Sequence, residues 1–291
     1  MSENEAFVER MLPRTTIFDR VPWAWPTNKP VAVWILAAFE QFRIDAFNYP
    51  GLPDVLEYSR RDYGNRVGMA RLFEVFDSVG VRGTMAVNGL AAEMYPVIVQ
   101  EALKRDWELI GHGLTNSTFL TTLSESDERN TIRKTREILD GFGVVMRGWI
   151  GPGLAESWRT LDLLVDNGVE YVADWVNDDL PYRFSNGLYS LPYTLECNDM
   201  SFTTGTTTSP DAFGRRICDA FDVLRREGAS VPRVMAICCH PFLTGLPGSI
   251  EYFRRALRYL VESGDAWFTV GGEVLDAYLS SDGSAHDAKI S

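Results

Sequence analysis

The sequence predicts an α/β protein built as a single distorted (β/α) barrel with about seven or eight parallel strands, and three observations lead there. Short β-branched or aromatic runs alternate with longer segments of helical period along the whole chain. Most of the strand candidates are apolar at consecutive positions, as expected where helices cover the outside of a sheet. No composition break divides the 291 residues, and α/β barrels of that size fold as one domain.

The strand candidates are Val31 to Ala37, Gly83 to Asn88, Glu108 to Gly111, Val145 to Ile150, Glu170 to Trp175, Leu188 to Pro192, Val234 to Cys239 and Trp267 to Val270. Between them, Val67, Ala70, Leu72, Phe73 and Phe76 line one helical stripe that stops at Gly80, and a second helix runs from about Ala91 to Arg105. A third begins at the capping box Ser124 to Asp127, with Ile132, Thr135, Ile138, Leu139 and Phe142 at helical spacing. Ser209-Pro210 opens a fourth as N-cap and first-turn proline, burying Phe213, Ile217, Phe221 and Leu224. Ser249 to Ser263 repeats that logic, and Thr203 to Thr208 reads as a loop. Residues 1–28, with Pro13, Pro22 and Pro26, form an arm on the surface or on a neighbouring subunit. Residues 29–280 form the barrel, and 281–291 a flexible polar tail holding His286.

Twenty-eight Lys+Arg against 40 Asp+Glu give a net charge of −12, which argues against nucleic acid or an anionic membrane as partner. With no long apolar segment and Glu3, Glu5 and Glu9 at the start, the expectation is a cytoplasmic protein acting on a small molecule. Cys197, Cys218, Cys238 and Cys239 have no CxxC spacing and read as reduced core residues.

In such a barrel the reacting groups sit just past the carboxyl ends of the strands. Six strand ends carry a polar or glycine-rich cluster: Glu40-Gln41, His112 to Asn116, Gly148 to Gly153, Asp174 to Asp179, Glu196 to Asp199, and His240-Pro241. Each alone has a structural explanation, such as a paired carboxylate, a turn or a cap. Together they point to one pocket.

These segments resemble the polysaccharide deacetylase (NodB-like) superfamily, and within it the branch of metal-independent allantoinase-like and cyclic imide hydrolase enzymes. The resemblance runs from about Trp25 to Tyr278. It is carried by Tyr63 to Gly68 (YGxRxG), Glu108 to Gly113, Gly148 to Gly151 (GWxG) and Asn177 to Tyr182 (NDDLPY). It implies a NodB-like distorted barrel, a homo-oligomer (dimer or tetramer), and a catalytic role for Glu40, His112 and His240. Metal-dependent members carry Phe-Asp-Asp-Gly and two histidines four residues apart; here the positions read Phe39-Glu40-Gln41 and His112 with Asn116. Neutral side-chain amides are poor donors to a zinc-like ion, so the expectation is no metal and no cofactor.

On that basis Glu40 is the general base for water, His240 the acid for the leaving nitrogen, and His112, Asn116 and Gln41 are donors to the oxyanion, each worth roughly 3 kcal/mol of barrier. Trp149, Asp178, Asp179 and Asn198 complete the expected substrate contacts. The expected reaction is hydrolysis of a C–N bond in a small cyclic amide, imide or ureide. The alternatives are an N-deacetylase of an acetamido sugar or other small N-acyl compound, and a catalytically inactive relative.

Overall fold

The computed structural model describes residues 3–49, 51–204, 207–281 and 284. Most of the expected tail, His286 included, therefore lies outside the described residues. Eleven strands form among them: β1 (Val31–Phe39), β2 (Thr84–Val87), β3 (Glu108–Gly111), β4 (Gly148–Trp149), β5 (Tyr171–Val172), β6 (Tyr182–Arg183), β7 (Tyr189–Ser190), β8 (Thr203–Thr204), β9 (Thr207–Thr208), β10 (Arg233–Cys239) and β11 (Ala266–Thr269). The main sheet runs β10-β1-β2-β3-β4-β5-β7-β6, with β11 beside the first half of β1. Its pairings are parallel except β6 with β7, so it is the curled, NodB-like distorted barrel. β8 and β9 pair as a separate antiparallel ribbon where a plain loop was expected.

Ten helices accompany these strands: α1 (Glu3–Met11), α2 (Val55–Tyr63), α3 (Met69–Val79), α4 (Gly89–Met94), α5 (Pro96–Leu103), α6 (Glu125–Asp140), α7 (Thr160–Asp166), α8 (Pro210–Glu227), α9 (Ile250–Ser263) and α10 (Gly271–Leu279). The Ser124 hydroxyl caps α6 by accepting from Asp127 N, as the capping box requires. Ser209 precedes α8 without capping it through its side chain. The single helix expected over 91–105 is two. Pro96 disfavours helical backbone at the residue before it, and Tyr95 sits at φ −130°, ψ 59° between α4 and α5.

Two apolar cores follow from the period-two alternation of the strands. Val33, Ile35, Ala37 and Phe39 of β1 face the outer helices, whereas Ala32, Trp34 and Leu36 face the barrel interior. β10 divides the same way, with Met235, Ile237 and Cys239 outward and Val234, Ala236 and Cys238 inward. Continuing each alternation past the strand ends aims Glu40 and His240 into the top of the barrel. Ile110 inward on β3 does the same for His112.

The N-terminal segment is fastened to the barrel. Trp25 is buried and donates its indole N–H to the Arg233 carbonyl, and Arg20 is paired with Asp178 at 2.7 Å.

Candidate active site

Glu40, His112 and His240 meet at the top of the barrel, all buried. Glu40 Oε1 lies 2.8 Å from Asn116 Nδ2, 3.4 Å from His112 Nε2 and 3.7 Å from His240 Nε2. Asn65 donates to the Glu40 carbonyl at 2.8 Å, and the fully buried Asn88 accepts from Gln41 N at 2.9 Å while donating to the His112 carbonyl. These two amides clamp the ends of β1 and β3 in register. His112 Nδ1 donates to the Ile150 carbonyl at 2.6 Å, which leaves Nε2 as the nitrogen turned to Glu40.

His240 has a partner that sequence reasoning missed. Asp199 accepts from His240 Nδ1 at 2.6 Å, from His240 backbone N at 2.8 Å and from Thr244 Oγ1 at 2.6 Å. Burial alone would lower the imidazole, but the Asp199 and Glu40 carboxylates outweigh it and raise His240 from 6.5 to about 9. Glu40 moves the other way. Burial pushes its carboxyl up, yet His240, His112 and Arg61 more than offset this and hold it below its ordinary value. At neutral pH the pair is therefore a carboxylate facing an imidazolium.

Two glycines make the close approach that seats His240. Gly64 and Gly68 belong to the turn joining α2 to α3, and a Cβ on Gly68 would lie 2.1 Å from the Pro241 carbonyl oxygen, one on Gly64 2.7 Å from Phe242 N. The glycine spacing of the Tyr63 to Gly68 segment thus has a steric reason: α2 and α3 must touch the loop that follows β10.

Behind His112, Asp174 accepts from Gly151 N at 2.7 Å, next to the Ile150 carbonyl that orients the ring. Burial raises Asp174 to about 6, and burial with the neighbouring Asp174 raises Glu156 well above the carboxylate range. The Trp175 indole N–H donates to Glu156 at 3.2 Å.

Several expected site residues stand elsewhere or act differently. Trp149 falls on the outward parity of β4 and is fully buried in the outer core, so it is a packing residue rather than a substrate contact. Val234 N donates to the Asp179 carbonyl, six residues before His240 on the same strand, a separation of about 20 Å. Asp179, and with it the Arg20-paired Asp178, therefore lies toward the other end of the barrel; both line a separate cavity of about 400 Å³ with Cys197 and Arg216. Asn198 donates to Tyr193 OH at 2.8 Å and accepts from Met200 N, fixing the turn that delivers Asp199. Gln41 Nε2 donates to the Phe42 carbonyl at 2.9 Å and Asn116 Nδ2 to Glu40, so one N–H of each amide is already committed in this geometry.

The same facts test the family's metal. One imidazole, a glutamine turned onto its own chain and an asparagine bonded to Glu40 do not fit a tightly held divalent ion, and among the described residues no group of three or more His, Cys, Asp or Glu side chains is arranged to hold one.

A curled parallel sheet with a carboxylate and two imidazoles at its top defines a hydrolase-type site on a NodB-like barrel. The polysaccharide deacetylase model matches residues 61–172. A Schizosaccharomyces pombe protein named "Putative polysaccharide deacetylase" is 26% identical over 87% of this chain and 92% of its own. Among solved structures, the Puue allantoinase superposes with a TM-score of 0.79 at 25% identity, covering 87% of this chain and 92% of the other. A Pseudomonas aeruginosa "probable Polysaccharide deacetylase" does so with 0.78 at 24% and the same coverage. Residues 61–172 thus match the polysaccharide deacetylase family, and the chain as a whole is similar in fold to these relatives. Among the described residues no helix is long and apolar enough to cross a membrane.

Proposed function

We propose that this protein hydrolyses a C–N bond in a small cyclic amide, imide or ureide without a metal ion. The observation that carries the reading is the carboxylate of Glu40 set between two imidazoles, with Asn116, in the position of a metal-binding histidine, bonded to that carboxylate instead. Its three contacts all fall on Oε1, which leaves Oε2 to take a proton from water. The water oxygen bonds to the ring carbonyl carbon, the tetrahedral oxyanion that forms collapses, and the C–N bond breaks as His240 Nε2 gives its proton to the nitrogen. Asp199 keeps that proton on His240 until it is needed. The similarity to the Puue allantoinase supports a ureide or imide ring. The second reading, N-deacetylation, is favoured by the deacetylase model over residues 61–172.

The test is a panel of cyclic imides, hydantoins, ureides, lactams and N-acetyl sugars, assayed with excess chelator. Ring opening that persists in chelator is the expected result. Acetate release that requires added zinc would overturn the reading in favour of the deacetylase.

A further inference from the structure

We propose that Arg61 is a specificity-determining residue that selects a substrate carrying a carboxylate beside its scissile ring. This rests on the cyclic-amide reading above and names the substrate class within it. Arg61 is one of two last-turn arginines of α2, and its guanidinium lies over three phenyl rings, 4.9 Å from the Phe42 centroid, 4.6 Å from Phe47 and 5.5 Å from Phe242. Phe242 in turn packs edge-on against the His240 ring at 5.6 Å, so one phenyl group separates the guanidinium from the acid. The charge of Arg61 acts on both Glu40 and His240.

Glu57 accepts from both Arg60 and Arg61, so two guanidiniums share one directly bonded carboxylate, and Asp54 and Glu40 are further carboxylates that the Arg61 charge reaches. Arg61 Nε is buried and has no acceptor. The aromatic walls fix the guanidinium plane, which is the arrangement that pairs best with a planar carboxylate. A flat ring reaching Glu40 and His240 brings a substituent on its far side under this cation.

The ligands for the test are a five-membered cyclic imide and its ring-carboxymethyl derivative, measured by calorimetry on Glu40→Gln so that nothing turns over. The expected result is a ten- to hundredfold tighter binding of the carboxymethyl compound, the range of one hydrogen bond to a charged group. In Glu40→Gln/Arg61→Met the preference disappears, and in Glu40→Gln/Arg61→Lys part of it returns; thermal melts confirm folding, since Glu57 keeps Arg60 at 2.9 Å. Equal binding of both compounds before and after Arg61→Met, or binding of neither, would overturn the proposal. Turnover separates the two claims. Wild-type protein that opens both imides without the preference refutes the role of Arg61 alone, whereas a preference in binding with no ring opening refutes the hydrolase reading alone.

Discussion

Replacing Asp199 by asparagine removes the charge that keeps a proton on His240 while leaving an oxygen for Nδ1–H to meet. Asp199 is buried and its carboxylate accepts three hydrogen bonds of 2.6 to 2.8 Å, two of them from His240. Burial opposes the imidazolium, so the rise from 6.5 to about 9 belongs to Asp199 first and Glu40 second. Without Asp199 the imidazole returns to about 6.5 or lower, a change of about 2.5 units or about 3 kcal/mol. At pH 8 the protonated fraction of His240 then drops from about nine-tenths to about three in a hundred, and a step that needs imidazolium slows about thirtyfold. The sign of the stability change follows from the raised pKa. The Asp199 contribution is complete below pH 6.5 and lost as pH rises through 9, so the variant is destabilised more at pH 6 than at pH 10. Imidazole ring protons followed by NMR give the titration directly, with only three histidines to assign. A His240 midpoint unchanged in Asp199→Asn would refute the argument.

Glu40→Gln should lower turnover by at least about a thousandfold and lower the melting temperature at neutral pH, because the His240 imidazolium loses a buried carboxylate that faces it; activity within tenfold of wild type would remove Glu40 as the base. Gln41→Asp combined with Asn116→His should create measurable zinc binding by calorimetry where the wild type shows none, since it restores an anion and an imidazole beside His112. Gly68→Ala should cost about 1 to 3 kcal/mol in urea titrations and shift the His240 resonances, because the new methyl lies 2.1 Å from the Pro241 oxygen although the backbone φ of −61° suits alanine. Gly248→Ala, with open space around its Cβ, is the control and should change neither.

The eight expected strands all exist because long apolar runs between helical stripes leave few alternatives, and the family was legible in short motifs. What stayed hidden was parity. β1 and β10 are apolar on both faces, so their alternation does not show as hydrophobic against polar, and size does not mark it either, since Trp34 points into the barrel beside Ala32 and Ala236 while Ala37 points out. Asp199 and Arg61 lay beyond this kind of reasoning. Asp199 comes from a short 3₁₀ turn and Arg61 from α2, a helix outside the expected stripes, and neither position follows from a strand period. Asp178 and Asp179 misled for the opposite reason. Their motif is specific, yet its carboxylates serve Arg20 of the N-terminal arm and Arg233 at the far end of β10.

The electrostatics of the pocket constrain what its base can attack. Glu40 is held below its ordinary pKa by His240, His112 and Arg61 despite burial, so it is fully ionised at neutral pH but a weak acceptor for a proton from water. A weak base lowers the barrier little, and in the metal-free reaction proposed above the carbonyl must bring its own electrophilicity. Imide and ureide carbonyls share their nitrogen lone pair with a second acyl group, and opening a ring relieves strain; an isolated acetamide has neither advantage. Conversely, His240 near 9 is a weak acid, suited to protonating a nitrogen only after the C–N bond has begun to break. A leaving group stabilised by a neighbouring carbonyl tolerates such late proton transfer, and an alkylamine does not. On the proposed reading, the same two shifts that make Glu40 and His240 an ion pair favour activated C–N bonds over an isolated acetamide.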